Sequence, residues 1–190
     1  NGKEYKVSSI EKEAFAKCCW IKHIIICDGI EEIQDAAFEA CANLVDVVIP
    51  SSIKALGNYV FSYCLNLSSI RVDKNNSYYD SREDCNAIIR KSDNTLIYGC
   101  KDTKIPSSVN RINEFAFYGS LIMSVEIPEG LKVVDEYAFC ECPFLKQVRV
   151  SSTVETIGVS AFYYCDNITS IIVDDRNKTF DSRNNCNAII

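Results

Sequence analysis

Residues 28–50 read DGIEEIQDAAFEACANLVDVVIP, with apolar side chains at Ile30, Ile33, Ala37-Phe38, Cys41, Leu44, Val47 and Ile49. The same spacing stands before this stretch, at Val7, Ile10, Ala14-Phe15, Cys18, Ile21, Ile24 and Ile26. It stands again after it, at Ile53, Leu56, Val60-Phe61, Cys64, Leu67, Ile70 and Val72. Phe15, Phe38 and Phe61 are 23 residues apart, which is the signature of a stacked repeat array.

The register breaks over residues 74–106 and resumes with Val109, Ile112, Ala116-Phe117, Val125 and Ile127. This fourth unit is one residue short after its phenylalanine, and Gly119-Ser120 fills the cysteine slot. A fifth unit carries Ala138-Phe139 and Cys142, and a sixth carries Ala161-Phe162 and Cys165. The repeats therefore cover residues 7–27, 28–50, 51–73, 107–128, 129–151 and 152–174, with inserts at 74–106 and 175–190. The insert also repeats. Tyr79-Asp80-Ser81-Arg82 and Cys85-Asn86-Ala87-Ile88-Ile89 return as Phe180-Asp181-Ser182-Arg183 and Cys186-Asn187-Ala188-Ile189-Ile190, at an offset of 101 residues. The chain stops inside this second copy, so it is expected to be part of a longer array folded as a single solenoid.

Each unit divides into a strand and a return leg. Leu44-x-x-Val47-x-Ile49 alternates in the manner of a half-buried strand, and Pro50 ends the ladder. The Ala-Phe leg is too short for a long helix. Asp35, Asn58, Asn113 and Asp135 are placed to cap one or two turns of α- or 3₁₀-helix there. Within the first insert, residues 86–90 and 95–98 flank Lys91-Ser92-Asp93-Asn94 and predict a β-hairpin. The expected fold is an α/β leucine-rich-repeat solenoid. Its parallel sheet lines the concave face, short helices or 3₁₀ turns lie on the convex face, and a hairpin is inserted. No rung can bury its apolar face alone, so stability is a sum over neighbours.

Composition excludes several functions. The 190 residues carry a net charge of −6 and a pI of about 4.9, which argues against nucleic acid or an anionic membrane surface as partner. The longest apolar run, Ile24-Ile25-Ile26-Cys27, is far below membrane-spanning length, so no direct membrane insertion is expected. No signal peptide is read at Asn1. Of 11 cysteines, Cys18, Cys41, Cys64, Cys142 and Cys165 share one slot, three residues after the phenylalanine. Neighbouring rungs lie about 4.8 Å apart, so that slot admits either buried thiols or a disulfide ladder. The redox state of Cys18, Cys19, Cys140 and Cys142 is likewise open.

Signals for chemistry are poor. There is no C-x-x-C pair and His23 is the single histidine, so neither a zinc site nor a histidine-dependent nucleophile is expected. Glycines never occur as G-x-G, and Asp73-x-Asn75-x-Ser77 lacks the glycine a calcium loop needs, having Tyr78 instead. No enzyme activity, cofactor or metal is expected. Asn66, Asn75, Asn167 and Asn177 lie in N-x-S/T sites, which matter only in a glycosylating pathway.

Candidate binding residues are those that alternate outward on the strands: Asp46, Val48, Ser69, Arg71, Lys104, Glu126, Gln147 and Arg149. His23/Ile25 and Ser170/Ile172 extend the rows at each end. Arg71, Lys104 and Arg149 would engage acidic groups of a ligand. Alternatively, Lys104, Glu126 and Arg149 pair with one another across adjacent strands. Tyr78 and Tyr98, with Tyr79 close by in the insert, form a second candidate surface. Tyr79 and Phe180 occupy one repeat slot and could equally pack the insert onto the array.

With the units aligned, the sequence resembles the BspA-like leucine-rich-repeat family. The residues that carry the likeness are Val47-x-Ile49-Pro50-Ser51-Ser52-Ile53, Ile127-Pro128, Ile157-Gly158-x-x-Ala161-Phe162, the recurring cysteine and the insert's Asn86-Ala87-Ile88-Ile89. The resemblance implies a surface-exposed or secreted protein, adhesion to host or neighbouring-cell proteins or glycans, and no catalytic residues. The partner it implies is a protein or glycan, bound by a monomer. A structural spacer within a larger surface protein is the alternative.

Overall fold

The computed structural model describes residues 6–182 and 189. The second insert's Arg183, Cys186, Asn187, Ala188 and Ile190 lie outside them. The chain is a β-solenoid of about seven turns with almost no helix. Its strands run β1 (Ser9–Ile10), β2 (His23–Ile25), β3 (Glu32–Ile33), β4 (Asp46–Ile49), β5 (Ala55–Leu56), β6 (Ser69–Val72), β7 (Tyr79–Asp80), β8 (Ala87–Arg90), β9 (Thr95–Gly99), β10 (Arg111–Ile112), β11 (Ser124–Ile127), β12 (Val133–Val134), β13 (Gln147–Val150), β14 (Thr156–Ile157) and β15 (Ser170–Val173).

Each repeat supplies one short strand and one longer strand. The longer strands pair in parallel as β2-β4-β6 and β11-β13-β15; the shorter pair as β1-β3-β5 and β10-β12-β14. Register follows the 23-residue period, with Val47 opposite Ile24 and Ile70. Period-two alternation then buries Val47 and Ile49 while Asp46 and Val48 face outward.

The return legs differ from the expected helical turns. In residues 13–18, alternate amides leave the rung: Glu13, Phe15 and Lys17 donate to the carbonyls of Asp35, Ala37 and Glu39 on the next rung. The intervening Ala14, Ala16 and Cys18 close tight turns onto Glu11, Glu13 and Phe15. The alternation is set by a left-handed residue two positions before and two after each phenylalanine, as at Ala36 and Ala40 (φ 55° each) around Phe38. A helix would consume every amide within its own rung and leave nothing to join rungs. Each left-handed non-glycine costs about 1–2 kcal/mol, and the inter-rung bonds offset it at roughly 0.5–1.5 kcal/mol apiece. With no helix to cap, the Asp35 carboxylate accepts instead from the Asn58 amide one rung on, at 2.7 Å. Among the described residues the one helical turn is 3₁₀, Arg82–Asp84, in the insert.

Stacked phenylalanines form the spine of the core. Phe15 lies on Phe38 (centroids 5.3 Å apart) and Phe38 on Phe61 (5.8 Å). Phe117 lies on Phe139 (4.7 Å) and Phe139 on Phe162 (5.3 Å). The cysteine slot serves this spine. Cys41, Cys64, Cys142 and Cys165 point their thiols at the carbonyls of Phe15, Phe38, Phe117 and Phe139, at 3.0–3.2 Å. All ten described cysteines are free.

The predicted hairpin is present, β8 antiparallel to β9, with a bulge between Ile88 and Ile89. It acts as an intermediate rung. β9 joins the short-strand ladder against β10. Ile88 packs into the N-terminal core and Ile89 into the C-terminal one. The Asn76 side chain anchors the insert, donating to Pro50 and Ile53 carbonyls and accepting from the amides of Tyr78 and Tyr79. Asn177 repeats the clamp on Ser151, Val154, Thr179 and Phe180, so its amide is already engaged.

Candidate functional site

The long-strand face carries the outward residues picked out in the sequence, and the structure sorts them into two groups. Asp46 stands beside Ser69 and Val48 beside Arg71 on the β4-β6 pair. Ser124, Gln147 and Ser170 form one row across β11, β13 and β15, and Glu126, Arg149 and Ile172 the next. Lys104 belongs to neither sheet. Residues 101–106 form no strand, because the Lys104 amide donates to the Cys85 carbonyl at 3.0 Å and ties the segment to the insert.

Lys104 instead lines a hollow of about 380 Å³ with Thr103, Ile105, Ser124, Val125 and Glu126. A second hollow, of about 320 Å³, adjoins it through Glu126 and Pro128 and is bounded by Arg149, Ile172, Asp174 and Arg176. Arg176 clamps Asp174 at 2.9 Å, and the guanidinium holds that carboxyl down to about 2. Arg176 also reaches Glu129 at 3.1 Å. In the sequence Arg176 stands where the first insert has Asn75, 101 residues earlier.

Charges on this face are left open. Among the described residues, Arg71, Lys104, Glu126 and Arg149 take part in no ion pair within 4.0 Å, so pairing across the strands does not occur. Asp46 is the exception: its carboxylate meets the His23 ring Nδ1. The short-strand side behaves in the opposite way. There Glu31–Lys54, Arg111–Asp135 and Lys132–Glu155 pair from rung to rung at 2.6–2.9 Å.

The insert residues also separate. Tyr78 is 48% exposed, whereas Tyr98 is 4% exposed and belongs to the core. The Tyr98 ring sets its edge against Phe61 (5.7 Å), and its hydroxyl donates to the Gly57 carbonyl while accepting from the Val60 amide. Tyr98 is thus not a surface residue; it continues the phenylalanine spine into the hairpin. Tyr79 is buried as well, leaving Tyr78 as the exposed tyrosine of the trio.

One aromatic cluster escaped the repeat reading. Tyr59, Phe115, Tyr118 and Tyr63 interlock across the junction of the third and fourth repeats, with Tyr59 and Phe115 centroids 4.4 Å apart. The hydroxyls of Tyr63 and Tyr118 both donate to Glu141. In the first two units the same slots hold Glu13, Ala16, Lys17, Ala36, Glu39 and Ala40, and that contrast was the available signal.

The buried thiols divide: hydrogen bonds from Cys64 and Cys142 lower Cys41 and Cys165, while the others that shift are raised. Burial pushes Cys85 and Cys140 up to about 11, and the neighbouring thiols together with burial push Cys64 and Cys142 up further. Among the described residues no group of three or more His, Cys, Asp or Glu side chains is placed to hold a metal ion. No described helix is long and apolar enough to cross a membrane.

A family model described as BspA type leucine rich repeat region, in 6 copies, matches residues 4–91 and 87–189. No curated protein matches. Among solved structures, the chain is similar to a leucine rich cell surface protein from Faecalibacterium prausnitzii A2-165, at 26% identity and a TM-score of 0.59, over 93% of this chain and 40% of that one. It is similar in fold to the pneumococcal vaccine antigen PcpA, at 19% identity and a TM-score of 0.64, over 90% and 49%. A leucine-rich repeat protein from Bacteroides ovatus gives 22% identity and a TM-score of 0.56, over 90% and 41%. The chain therefore spans less than half the length of these three proteins. Matched over nearly its whole length, it belongs to the BspA-type leucine-rich-repeat family.

Proposed function

We propose that this chain is a non-enzymatic interaction module of a cell-surface or secreted protein, which binds a protein or glycan through its long-strand face. The observation that carries the reading is the contrast between faces. The fold pairs its charges from rung to rung on the short-strand side and leaves Arg71, Lys104, Glu126 and Arg149 exposed and unpaired on the other. An unpaired guanidinium offers a planar fork that matches a carboxylate or sulfate through two parallel hydrogen bonds. Exposed Ile25 and Ile172 flank these charges with apolar surface. The surface location is supported by the likeness to the Faecalibacterium protein.

The test begins with glycan arrays and immobilised extracellular proteins, and continues with charge reversal against whatever binds. Arg71→Glu with Arg149→Glu is expected to weaken binding at least tenfold, about 1.4 kcal/mol. Arg111→Ala on the opposite side is expected to leave it unchanged. Undiminished binding by the double variant would overturn the reading and favour a spacer.

A further inference from the structure

The long-strand sheet is interrupted once between its first strand and its last, and the interruption leaves a strand edge open. At the intact junctions, the amide that precedes each long strand donates to the rung before it. Val45 bonds to Lys22 (2.8 Å), Ser68 to Val45 (3.0 Å), Lys146 to Met123 (2.9 Å) and Thr169 to Lys146 (2.9 Å). Met123 holds the same position in the fourth repeat, yet neither its amide nor that of Ser124 meets a backbone acceptor. No backbone hydrogen bond joins β11 to residues 100–106.

The cause is local. Lys101 and Lys104 spend their amides on Leu67 and Cys85, drawing their segment toward the third repeat and the insert. The short-strand ladder stays closed at this level, β9 paired with β10, so the rungs part on the long-strand side alone. The 380 Å³ hollow occupies the gap, with Lys104 on one wall and Glu126 on the other. An exposed, unpaired strand edge is a template for another chain, and proteins ordinarily blunt one with proline, a bulge or a covering segment. β11, Ser-Val-Glu-Ile, has no proline, and the segment that should cover it is turned away.

We propose that the free edge of β11 receives an extended segment of a protein partner, which adds to the sheet as a strand. The proposal rests on the reading that the long-strand face binds a macromolecule, and it selects protein over glycan. Main-chain bonds to the Met123 and Ser124 amides supply the attachment. Alternate side chains supply selectivity: an acidic residue meets Lys104 and a basic one meets Glu126. Both charges are exposed and without partners, which suits a segment of mixed charge.

The experiment selects 12-residue peptides from a random phage library against the 190-residue chain. The best binder is then resynthesised with N-methyl groups at either alternate set of amides. Strand addition predicts that one methylated set loses at least tenfold in affinity and the other binds as the parent does. Titration is expected to shift the backbone NMR signals of residues 123–126 first. Failure to select any peptide that shifts those signals, or equal indifference to both methylated sets, would overturn the proposal. A peptide that is indifferent to methylation yet lost on Arg71→Glu with Arg149→Glu leaves the face reading standing and strand addition refuted. A peptide indifferent to both changes refutes both.

Discussion

At Gly99 there is no room for a side chain. A Cβ built there lies 2.8 Å from the Phe117 Cδ1 and closer still to Cε1 and Cζ, because the hairpin's last strand residue passes directly against the ring of the next rung. Gly99→Ala should therefore cost about 1–3 kcal/mol through overpacking, read as a shift in the urea midpoint. Trimming the ring in a Gly99→Ala, Phe117→Leu double variant should recover part of the loss; strict additivity would mean the two sites do not touch. Left-handed residues make a second case. Ala40, at φ 55°, should tolerate glycine with little change, while Ala40→Val should be less stable than Ala40→Gly by about 1–2 kcal/mol. Neither demand was legible in the sequence. Gly99 stands 18 residues before Phe117, outside the 23-residue period, and the left-handed slots hold Glu, Lys, Ala, Tyr, Phe and Ser, with glycine only at Gly119.

The elements were more legible than their joints. Strands β4, β6, β11 and β13 fall where hydrophobic alternation places them, because a half-buried parallel strand imposes period two on its own sequence. The return legs do not, because their bonds run to the next rung and a single rung's sequence does not encode that partner. The phenylalanine spine was legible, but the hairpin's place in it was not. Tyr98 reads as an exposed tyrosine until Phe61 is seen to need an edge to pack on. Phe61 lies between the Phe38 ring at 5.8 Å and the Tyr98 ring at 5.7 Å, coupling the N-terminal stack to the insert. Phe61→Ala should cost about 3–5 kcal/mol. A loss below about 1 kcal/mol in chemical denaturation would contradict burial at this slot. Lys104 shows the same limit on the candidate site. The sequence places it among the residues that alternate outward on the strands, but the insert's own hydrogen bonds take the backbone elsewhere.

At the scale of the whole molecule, two buried thiols that the fold keeps from ionising, Cys85 and Cys140, set the response to alkali. Cys85 packs in the C-terminal core and Cys140 is buried on its return leg, and burial raises both from the usual 9.0 to about 11. An acid whose folded pKa is raised stays protonated in the folded chain while its unfolded counterpart ionises. Its contribution is thus fully present below pH 9 and is lost as pH rises through about 11. Buried Tyr98, also shifted upward by desolvation, extends the loss above its ordinary 10.0. Because each rung is stabilised by its neighbours, a penalty at the insert should propagate along the array instead of melting one turn. The melting temperature should accordingly fall steeply between pH 9 and 11. Cys85→Ala should reduce the size of that fall even if it lowers the melting temperature at neutral pH. A melting temperature unchanged through pH 11 would mean that these thiols titrate alike in the folded and unfolded chain, which their burial does not permit.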